Sequence, residues 1–190
     1  MSAAAMFVLG EKEGADAADI SDSILETLEN DMLSDAAESV SAYSYGDTVK
    51  TVDNAKGTPP SRMVNGVNVI GVISVPSVDI EVPVAADWSY ASLKKTACRY
   101  SGSAEGGGLI ILAHNYKRHF GNLKNAEIGD EVRLMDVNGV LYRYSITKKE
   151  TLGKYELDSL TQSYDDLTLF TCTYGGGKRV TVRCEMIPQE

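Results

Sequence analysis

The sequence of 190 residues lacks a hydrophobic run long enough for a membrane-spanning helix, which needs about 20 predominantly apolar residues. It is also short of positive charge, with 18 Lys and Arg against 27 Asp and Glu and a formal net charge of -9. A general nucleic-acid-binding protein needs clustered Lys and Arg to contact phosphates, so nucleic acid is not expected as a partner. Hydrophobic residues still make up 43% of the chain, which is enough for a globular core.

Side chains that could carry out chemistry near neutral pH are few. There are two histidines, His114 and His119, and three cysteines, Cys98, Cys172 and Cys184. An odd number of cysteines leaves at least one thiol outside any internal disulfide. A Cys98–Cys184 disulfide in an oxidising exterior is one alternative, although we expect Cys184 to be a core thiol. We expect His119 to lie at the surface, in a loop rich in Lys and Arg.

Negative charge is concentrated at the N-terminal end of the chain. Residues 1–62 contain 12 acids and 4 bases, whereas residues 63–190 contain 15 acids and 14 bases. This division predicts an acidic N-terminal helix and linker over 1–62, and a separate domain over 63–190. The apolar residues 3–9 are either an ordinary frayed chain end or the outer end of a membrane anchor.

The acidic region contains one predicted helix, over residues 16–40. Its apolar stripe at helical spacing is formed by Ile20, Ile24, Leu25, Leu28, Met32 and Leu33. Asp19 or Ser21 could cap its start. Residues 41–62 are rich in Ser, Gly, Thr, Asn and Pro, a composition typical of linkers. We expect the helix to act as a spacer, with a partner-binding helix or a lid over the main domain as the alternatives.

The second region is predicted to be mainly β. Asn138-Gly139 between two apolar runs is a strong hairpin signal. Only short helices are expected between strands, for example over 89–95. Seven or eight short strands in about 125 residues predict a closed β-barrel or a sandwich. The predicted strands cover residues 67–75, 78–84, 108–113, 132–136, 141–146, 167–172 and 179–187.

Three residues at strand ends could form a catalytic site. Cys172 ends one predicted strand, and Arg179 begins the next. If these strands pair, the guanidinium lies beside the thiol, where it would favour the thiolate or stabilise an oxyanion. His114 ends a different strand and could carry protons near neutral pH. Arg183 lies on the same strand face as Arg179 and is its rival, but Arg179 is nearer the thiol.

The strings around these residues resemble the sortase family. Residues 168–172, TLFTC, fit the sortase signature T-L-x-T-C, and residues 179–183, RVTVR, are similar to the strand that carries the sortase arginine. His114-Asn115, followed by Phe120 and Leu123, is similar to the segment around the sortase histidine. The resemblance extends over residues 66–187.

The resemblance implies an eight-stranded sortase-like β-barrel with short helices, preceded in this chain by the acidic helix. It implies that Cys172 is the nucleophile, that His114 is the general acid/base, and that Arg179 steadies the substrate and oxyanion. Thr171 would support the substrate-binding wall. The remaining candidates for substrate binding are Asn115, from the histidine segment, and Tyr174, which would either line the groove or pack on the barrel rim.

The activity implied is that of a cysteine transpeptidase. It would cleave an LPxTG-like sorting motif of surface proteins through a thioester, and transfer the acyl group to an amine of a peptidoglycan precursor or a pilin. The enzyme would lie on the extracellular face of the cell membrane, held by an N-terminal anchor that this sequence does not contain. No metal site and no cofactor are assigned, and calcium dependence is left open.

Two other functions remain as alternatives. One is a cysteine protease or acyl hydrolase that uses the same residues, and the other is a secreted β-barrel binding module with an inert Cys172. We expect Trp88 to pack in the core or on the barrel rim.

The sortase subclass is not indicated by the sequence. Residues 41–65 lack the Asp-Pro-aromatic lid motif of pilin-polymerising sortases, and the stretch between residues 149 and 167 is too short for the long helix of type B sortases. The sortase subclass is therefore unassigned.

Overall fold

The computed structural model describes residues 3–42, 58–153, 155–156, 159, 165–173 and 175–188, and it is mainly β, as predicted. Its α-helices in these ranges are α1 (Ala3–Ala42) and the single turn α2 (Tyr90–Leu93). The strands in the same ranges are β1 (Arg62–Val64), β2 (Val67–Val75), β3 (Ile80–Ala85), β4 (Ala97–Ser103), β5 (Gly107–Leu112), β6 (Glu131–Asp136), β7 (Leu141–Gly153), β8 (Leu167–Cys172) and β9 (Lys178–Met186).

Eight of the described strands form a closed ring. The hydrogen-bonded order is β2-β3-β4-β5-β8-β9-β7-β6, and β6 pairs back onto β2. Neighbouring strands are antiparallel except in the β3–β4 and β5–β8 pairs. Strand β1 adds to β2 outside the ring. The predicted eight-stranded barrel with short helices and an acidic N-terminal helix is confirmed.

Turn chemistry explains the predicted hairpin between β6 and β7. Gly139 has a φ of 81°, which glycine adopts without the steric cost that a Cβ would bring. The Asp136 carboxylate accepts hydrogen bonds from the backbone N–H groups of Asn138 at 2.9 Å and Val140 at 2.8 Å. These bonds close the turn and set the register of the two strands.

Strand β4 was missing from the sequence prediction, because its apolar pattern is interrupted. It pairs with β5 through two register shifts, one on each side of Ser101. Gly102 has a φ of 71°, and a Cβ there would lie 2.1 Å from the Gly108 carbonyl oxygen. Bulges of this kind bend a strand at a barrel corner and remove the simple alternation that identifies strands in a sequence.

The described part of the chain contains two large hydrophobic clusters. The main core fills the barrel, with Ile73, Ile111, Leu169 and Val182 each 0% exposed. The second core lies on the other face of the sheet, between helix α1 and strands β1 to β4. Its buried members are Ile24, Leu28, Val64, Val67, Val69, Ala85, Leu93, Cys98 and Val137.

Helix α1 is longer than the predicted helix over 16–40, so Asp19 and Ser21 lie inside it and neither can cap its start. The buried side of the helix is formed by residues 17, 21, 24 and 28, which share one face at helical spacing. Within the described ranges, no helix is both long and apolar enough to cross a membrane. Most of the predicted linker, residues 43–57, lies outside the described residues, and the boundary at residue 62 stays a prediction.

Candidate active site

Cys172 and Arg179 face each other across two paired strands. Cys172 is the last residue of β8 and is half-buried, and its Cα pairs with that of Arg179 near the start of β9. Directly opposite residues point to the same side of a sheet. Among the described residues, the buried Nη1 of Arg179 has no hydrogen-bond partner. The guanidinium therefore has a free donor on the same face as the thiol.

His114 joins this pair from the other side of β8. Strands β5 and β8 are parallel, with Leu112 opposite Phe170, and the Ala113 N–H donates to the Phe170 carbonyl at 3.3 Å. Continuing this register by two residues places His114 beside Cys172. The three candidate catalytic side chains thus form one row, His114–Cys172–Arg179, at one end of the sheet. We call the face that carries them the site face.

The alternate residues of the same strands point into the barrel. Ala113 belongs to the main core, and Thr171 is 3% exposed. The Thr171 hydroxyl donates a hydrogen bond of 2.8 Å to the Ala113 carbonyl. This bond ties the strand that ends at the thiol to the segment that carries the imidazole. The implied role of Thr171 in supporting a substrate wall stays a prediction.

The surroundings of His114 favour its neutral form. Burial lowers the pKa of this imidazole, the Glu13 carboxylate opposes that effect, and the Lys94 ammonium adds to it. The ring packs against Tyr116, with centroids 4.8 Å apart and planes tilted by 35°. A neutral imidazole can accept a proton from a thiol.

Of the other predicted contact residues, Asn115 is exposed next to His114. Tyr174 lies outside the described residues. Substrate binding by either residue stays a prediction.

An apolar floor extends along the site face below the catalytic row. It is formed by Ile110, Leu112, Leu152 and Phe170. The Tyr100 ring meets Phe170 edge-on with centroids 6.5 Å apart. Ile110 and Phe170 are buried, at 5% and 6% exposure, whereas Leu112 and Leu152 are partly exposed. We call this cluster, which lies next to Cys172 along β8, the site floor.

An aromatic rim borders the site floor. The Trp88 ring stacks on Tyr100 with centroids 6.3 Å apart, and Tyr90 meets Trp88 edge-on at 5.8 Å. Trp88 is 44% exposed, so the expectation of rim packing is confirmed, although the ring keeps an open face.

Comparison with protein-family models matches residues 73–187, more than half of the chain, to the sortase domain. The chain belongs to the sortase family. The matched range contains the catalytic row and the site floor. Helix α1 and strand β1 lie outside it. A comparison with curated proteins finds no match.

Solved sortases share this fold. Sortase A from Corynebacterium diphtheriae is 22% identical with a TM-score of 0.59, and the match covers 65% of this chain and 63% of that chain. Sortase C1 from Streptococcus agalactiae is 28% identical with a TM-score of 0.57, over 64% of this chain and 69% of that chain. A Clostridium perfringens sortase D5 transpeptidase is 21% identical with a TM-score of 0.58, over 67% and 83%. This chain therefore matches less than two thirds of the length of the C. diphtheriae sortase.

Arg183, the rival of Arg179, is held in a buried ion-pair cluster of the sortase domain. Its side chain is 4% exposed and lies 3.0 Å from Glu150 and 3.5 Å from Asp165. It also donates to the Thr168 hydroxyl at 3.2 Å. Two carboxylates already compensate this guanidinium, whereas Arg179 lies beside Cys172 with an Nη1 that has no hydrogen-bond partner in the described part of the chain. The geometry favours Arg179 as the partner of the thiol.

The other two thiols lie in separate cores. Cys98 is buried in the second core and Cys184 in the main core, and both are free. Burial raises the pKa of each to about 12. They are therefore protonated and inert near neutral pH. The expectation that Cys184 is a core thiol is confirmed.

The prediction for His119 was wrong, because the side chain is 0% exposed under helix α1. The hydroxyl of Ser21 donates to the Lys95 carbonyl at 2.9 Å, so its oxygen accepts from the His119 Nε2 at 3.2 Å. The Lys and Arg neighbours of His119 suggested a surface loop, and no local pattern shows that a distant helix covers it. In the described residues, no group of three His, Cys, Asp or Glu side chains could hold a metal ion.

Proposed function

We propose that this protein is a cysteine transpeptidase that cleaves a C-terminal sorting motif similar to LPxTG and transfers the new acyl end to an amine. The observation that carries the proposal is the row of His114, Cys172 and Arg179 on one face of three hydrogen-bonded strands. These residues provide a nucleophile, a proton carrier and a charge stabiliser within one site.

The first half of the reaction forms a thioester. The Cys172 proton passes to the His114 imidazole, and the sulfur attacks a backbone carbonyl of the motif, whose electrons move onto oxygen. Arg179 donates hydrogen bonds to this oxyanion through the nitrogen that has no partner in the described protein. When the carbonyl re-forms, the C–N bond breaks and the imidazolium protonates the leaving amine.

The second half of the reaction resolves the thioester with an amine. The amine attacks the thioester carbonyl and loses a proton to His114, and the C–S bond then breaks. The Cys172 thiolate recovers the proton, so the site returns to its starting state with a new amide bond formed. Burial, which lowers the pKa of His114, favours the neutral ring that both attacks require.

The site floor supports a peptide substrate. Its partly exposed members, Leu112 and Leu152, lie near Cys172 on the site face, so an extended peptide can place apolar residues against them while its carbonyl reaches the thiol. The proposed substrates are surface proteins that carry such a motif. The similar S. agalactiae enzymes include a pilus-related sortase C, 28% identical, and a pilin amine is one candidate acceptor beside a peptidoglycan precursor.

The proposed place of action is the extracellular face of the cell membrane, with an N-terminal anchor. This location follows from the proposed substrates, since surface proteins and envelope amines meet there. It is tested by fractionation of cells that produce the protein, which should recover it with the cell membrane.

The decisive test incubates the protein with a panel of sorting-motif peptides, with and without added amines. We expect a thioester on Cys172 by mass spectrometry and an amide product when an acceptor amine is present. Cys172→Ala should lose both cleavage and transfer. Hydrolysis at the same rate with no amide product would identify a hydrolase instead.

A thiol-reactive reagent provides an internal control. Cys172 is half-buried on the site face, whereas Cys98 and Cys184 are fully buried with a raised pKa. Rapid labelling should therefore occur at Cys172 alone in the folded protein. A folded protein in which Cys172 resists labelling would instead support the non-catalytic binding module.

A further inference from the structure

Helix α1 lies against the segment that carries the candidate acid/base. Its buried face continues beyond Ala17 to Gly14, where a Cβ would lie 3.5 Å from the Tyr116 ring. Tyr116 in turn packs on His114 with centroids 4.8 Å apart. A continuous chain of contacts therefore leads from the helix to the imidazole.

The segment between His114 and Gly121 is tightly folded. The Tyr116 carbonyl accepts hydrogen bonds from the N–H groups of His119 at 3.0 Å and Gly121 at 2.9 Å, and the Phe120 N–H donates to the His114 carbonyl at 3.1 Å. A Cβ on Gly121 would lie 2.7 Å from the Tyr116 carbonyl oxygen, which leaves no room for a side chain. The backbone thus fixes where the Tyr116 ring can lie.

A buried polar contact fixes the helix on the same segment. Ser21 accepts from His119 and donates to the Lys95 carbonyl, and it is 1% exposed. The Tyr116 and His119 rings are 5.5 Å apart. The helix therefore contacts two rings of the row His119–Tyr116–His114, the outer ring of His119 and the middle ring of Tyr116.

We propose that helix α1 is a positioning element of the catalytic centre, and that it acts through Tyr116, which holds the His114 imidazole in place. Tyr116 is a positioning residue because it contacts the imidazole and not the reacting atoms. The role rests on the proposed function, since it takes His114 as the acid/base. Helix α1 would then have a role in catalysis, although it lies outside the matched sortase domain.

The helix cannot simply be deleted as a test, because Ile24 and Leu28 cover the second core. Point substitutions at Tyr116 and Gly14 avoid this difficulty. Tyr116→Leu removes the ring and keeps an apolar side chain, and Tyr116→Phe keeps the ring. Gly14→Leu places a Cβ in van der Waals contact with the Tyr116 ring and adds the bulk of a leucine beside it. Ala15→Leu is its matched control because Ala15 is exposed.

The chain offers a direct spectroscopic readout, because it has only two histidines. In protein with labelled histidine, the His114 and His119 imidazole resonances can be assigned by the variants His114→Gln and His119→Gln. We expect Tyr116→Leu to move the His114 resonance through loss of the ring current of Tyr116. Gly14→Leu should move it as well, whereas Ala15→Leu should not.

Turnover provides the second readout. We expect Tyr116→Leu and Gly14→Leu to lower kcat by about 10-fold or more with KM changed less than about twofold, because a displaced acid/base slows the reaction at full saturation. Tyr116→Phe should restore most of the kcat that Tyr116→Leu loses. Ala15→Leu should keep the wild-type kcat.

The resonances and the kinetics together distinguish a failure of the proposed function from a failure of the positioning role. If the wild-type protein transfers no peptide, the proposed function fails, while the resonances still test the contact between the helix and His114. If Tyr116→Leu or Gly14→Leu leaves both the His114 resonance and kcat unchanged in a folded protein, the positioning role is overturned. A fall in kcat with an unmoved His114 resonance would overturn it too.

Discussion

The two hydrophobic cores of the molecule are built in different ways. The main core is enclosed by a ring in which every strand has two hydrogen-bonded neighbours. The second core is closed on one side by a single helix, through Ile24 and Leu28. The matched sortase domain contains nearly all of the main core, whereas Ile24, Leu28, Val64, Val67 and Val69 of the second core precede it. The ring builds the catalytic row, and the helix lies outside the matched domain.

This difference has an energetic consequence. Loss of one strand opens the ring and exposes the whole barrel interior, so the ring should unfold as a unit. Helix α1 is held mainly by one face, and residues on its other side are exposed. Elements with few buried contacts open locally at lower free energy than the global unfolding. We therefore expect α1 to open before the barrel unfolds.

A matched pair of isoleucine substitutions gives the largest expected effect. Ile73 in the main core and Ile24 in the second core are both 0% exposed. Replacement of a buried isoleucine by alanine typically costs about 2–5 kcal/mol through lost burial and the cavity left behind. We expect Ile73→Ala to lower the free energy of barrel unfolding by this amount. Ile24→Ala should instead release α1.

Hydrogen exchange and chemical denaturation together distinguish these outcomes. In Ile24→Ala, the amides of α1 should exchange faster while those of β5 and β8 keep their protection. In Ile73→Ala, protection should fall across all strands. An equal loss of protection everywhere in both variants would show that helix and barrel are one cooperative unit.

The buried His119, which contacts Ser21, predicts a pH-dependent loss of stability. Its size should lie between the effects of the isoleucine substitutions and the shifts in the pKa of His114. Burial, with a smaller effect from His114, lowers the pKa of His119 from 6.5 to about 4. The unfolded state therefore binds more protons between pH 6.5 and pH 4, and stability must fall as the pH falls through that window. The total loss is up to about 3 kcal/mol, since each pKa unit corresponds to about 1.4 kcal/mol. The physical cause is that the folded protein buries the ring, where a positive charge loses its solvation by water.

His119→Gln isolates this contribution, because glutamine keeps a donor for Ser21 and does not titrate. Urea unfolding at pH 7 and at pH 5 should show a smaller loss of stability in the variant than in the wild type. Titration of His114 and of the carboxylates occurs in both proteins and cancels in the comparison. Equal losses in the two proteins would contradict the assignment to His119.

The sequence predicted the ring better than the helix contact. Most strands were predicted because short apolar runs rich in Val and Ile and the Asn138-Gly139 turn are local signals. The adjacency of Cys172 and Arg179 followed from a single hairpin. The sequence put His114 at a strand end, and the family resemblance implied its role in the site. Only the structure shows that β5 pairs in parallel with β8, which brings His114 beside Cys172.

The contact between helix α1 and the catalytic segment could not be predicted from the sequence, for a physical reason. The predicted apolar stripe of α1 included Ile20 and Leu33, which are 36% and 69% exposed. The residues that contact the catalytic segment include Gly14, Ala17 and Ser21, beside the charged Glu13 and Asp22, whose partners are Tyr116 and Arg118. Small residues carry little hydrophobic signal, yet they allow the close approach that brings Tyr116 and His119 under the helix. Their partners lie about 100 residues away in the sequence, so no local pattern could indicate the contact.

The smallest expected effects are on the pKa of the His114 imidazole, which charges on the helix and on the barrel shift in opposite directions. Glu13 of α1 raises the pKa of His114, and Lys94, which follows α2 on the barrel, lowers it. The other groups near the ring are Tyr116 and His119 in its own segment, with Cys172 and Arg179 on the neighbouring strands. Glu13→Gln should therefore lower the pKa of His114, and Lys94→Gln should raise it. Each change should be worth less than about 1 kcal/mol, because partly exposed charges interact weakly through water.

The test is an imidazole titration followed through the His114 resonance at low salt. Opposite shifts in the two variants would show that the helix and the barrel act on the same ring with opposite charge. A second titration at about 0.5 M salt should reduce both shifts, since the Debye length falls well below 10 Å. If Glu13→Gln leaves the pKa of His114 unchanged at low salt while Lys94→Gln moves it, the helix does not approach the ring in solution. In that case only the barrel would set the protonation of the site.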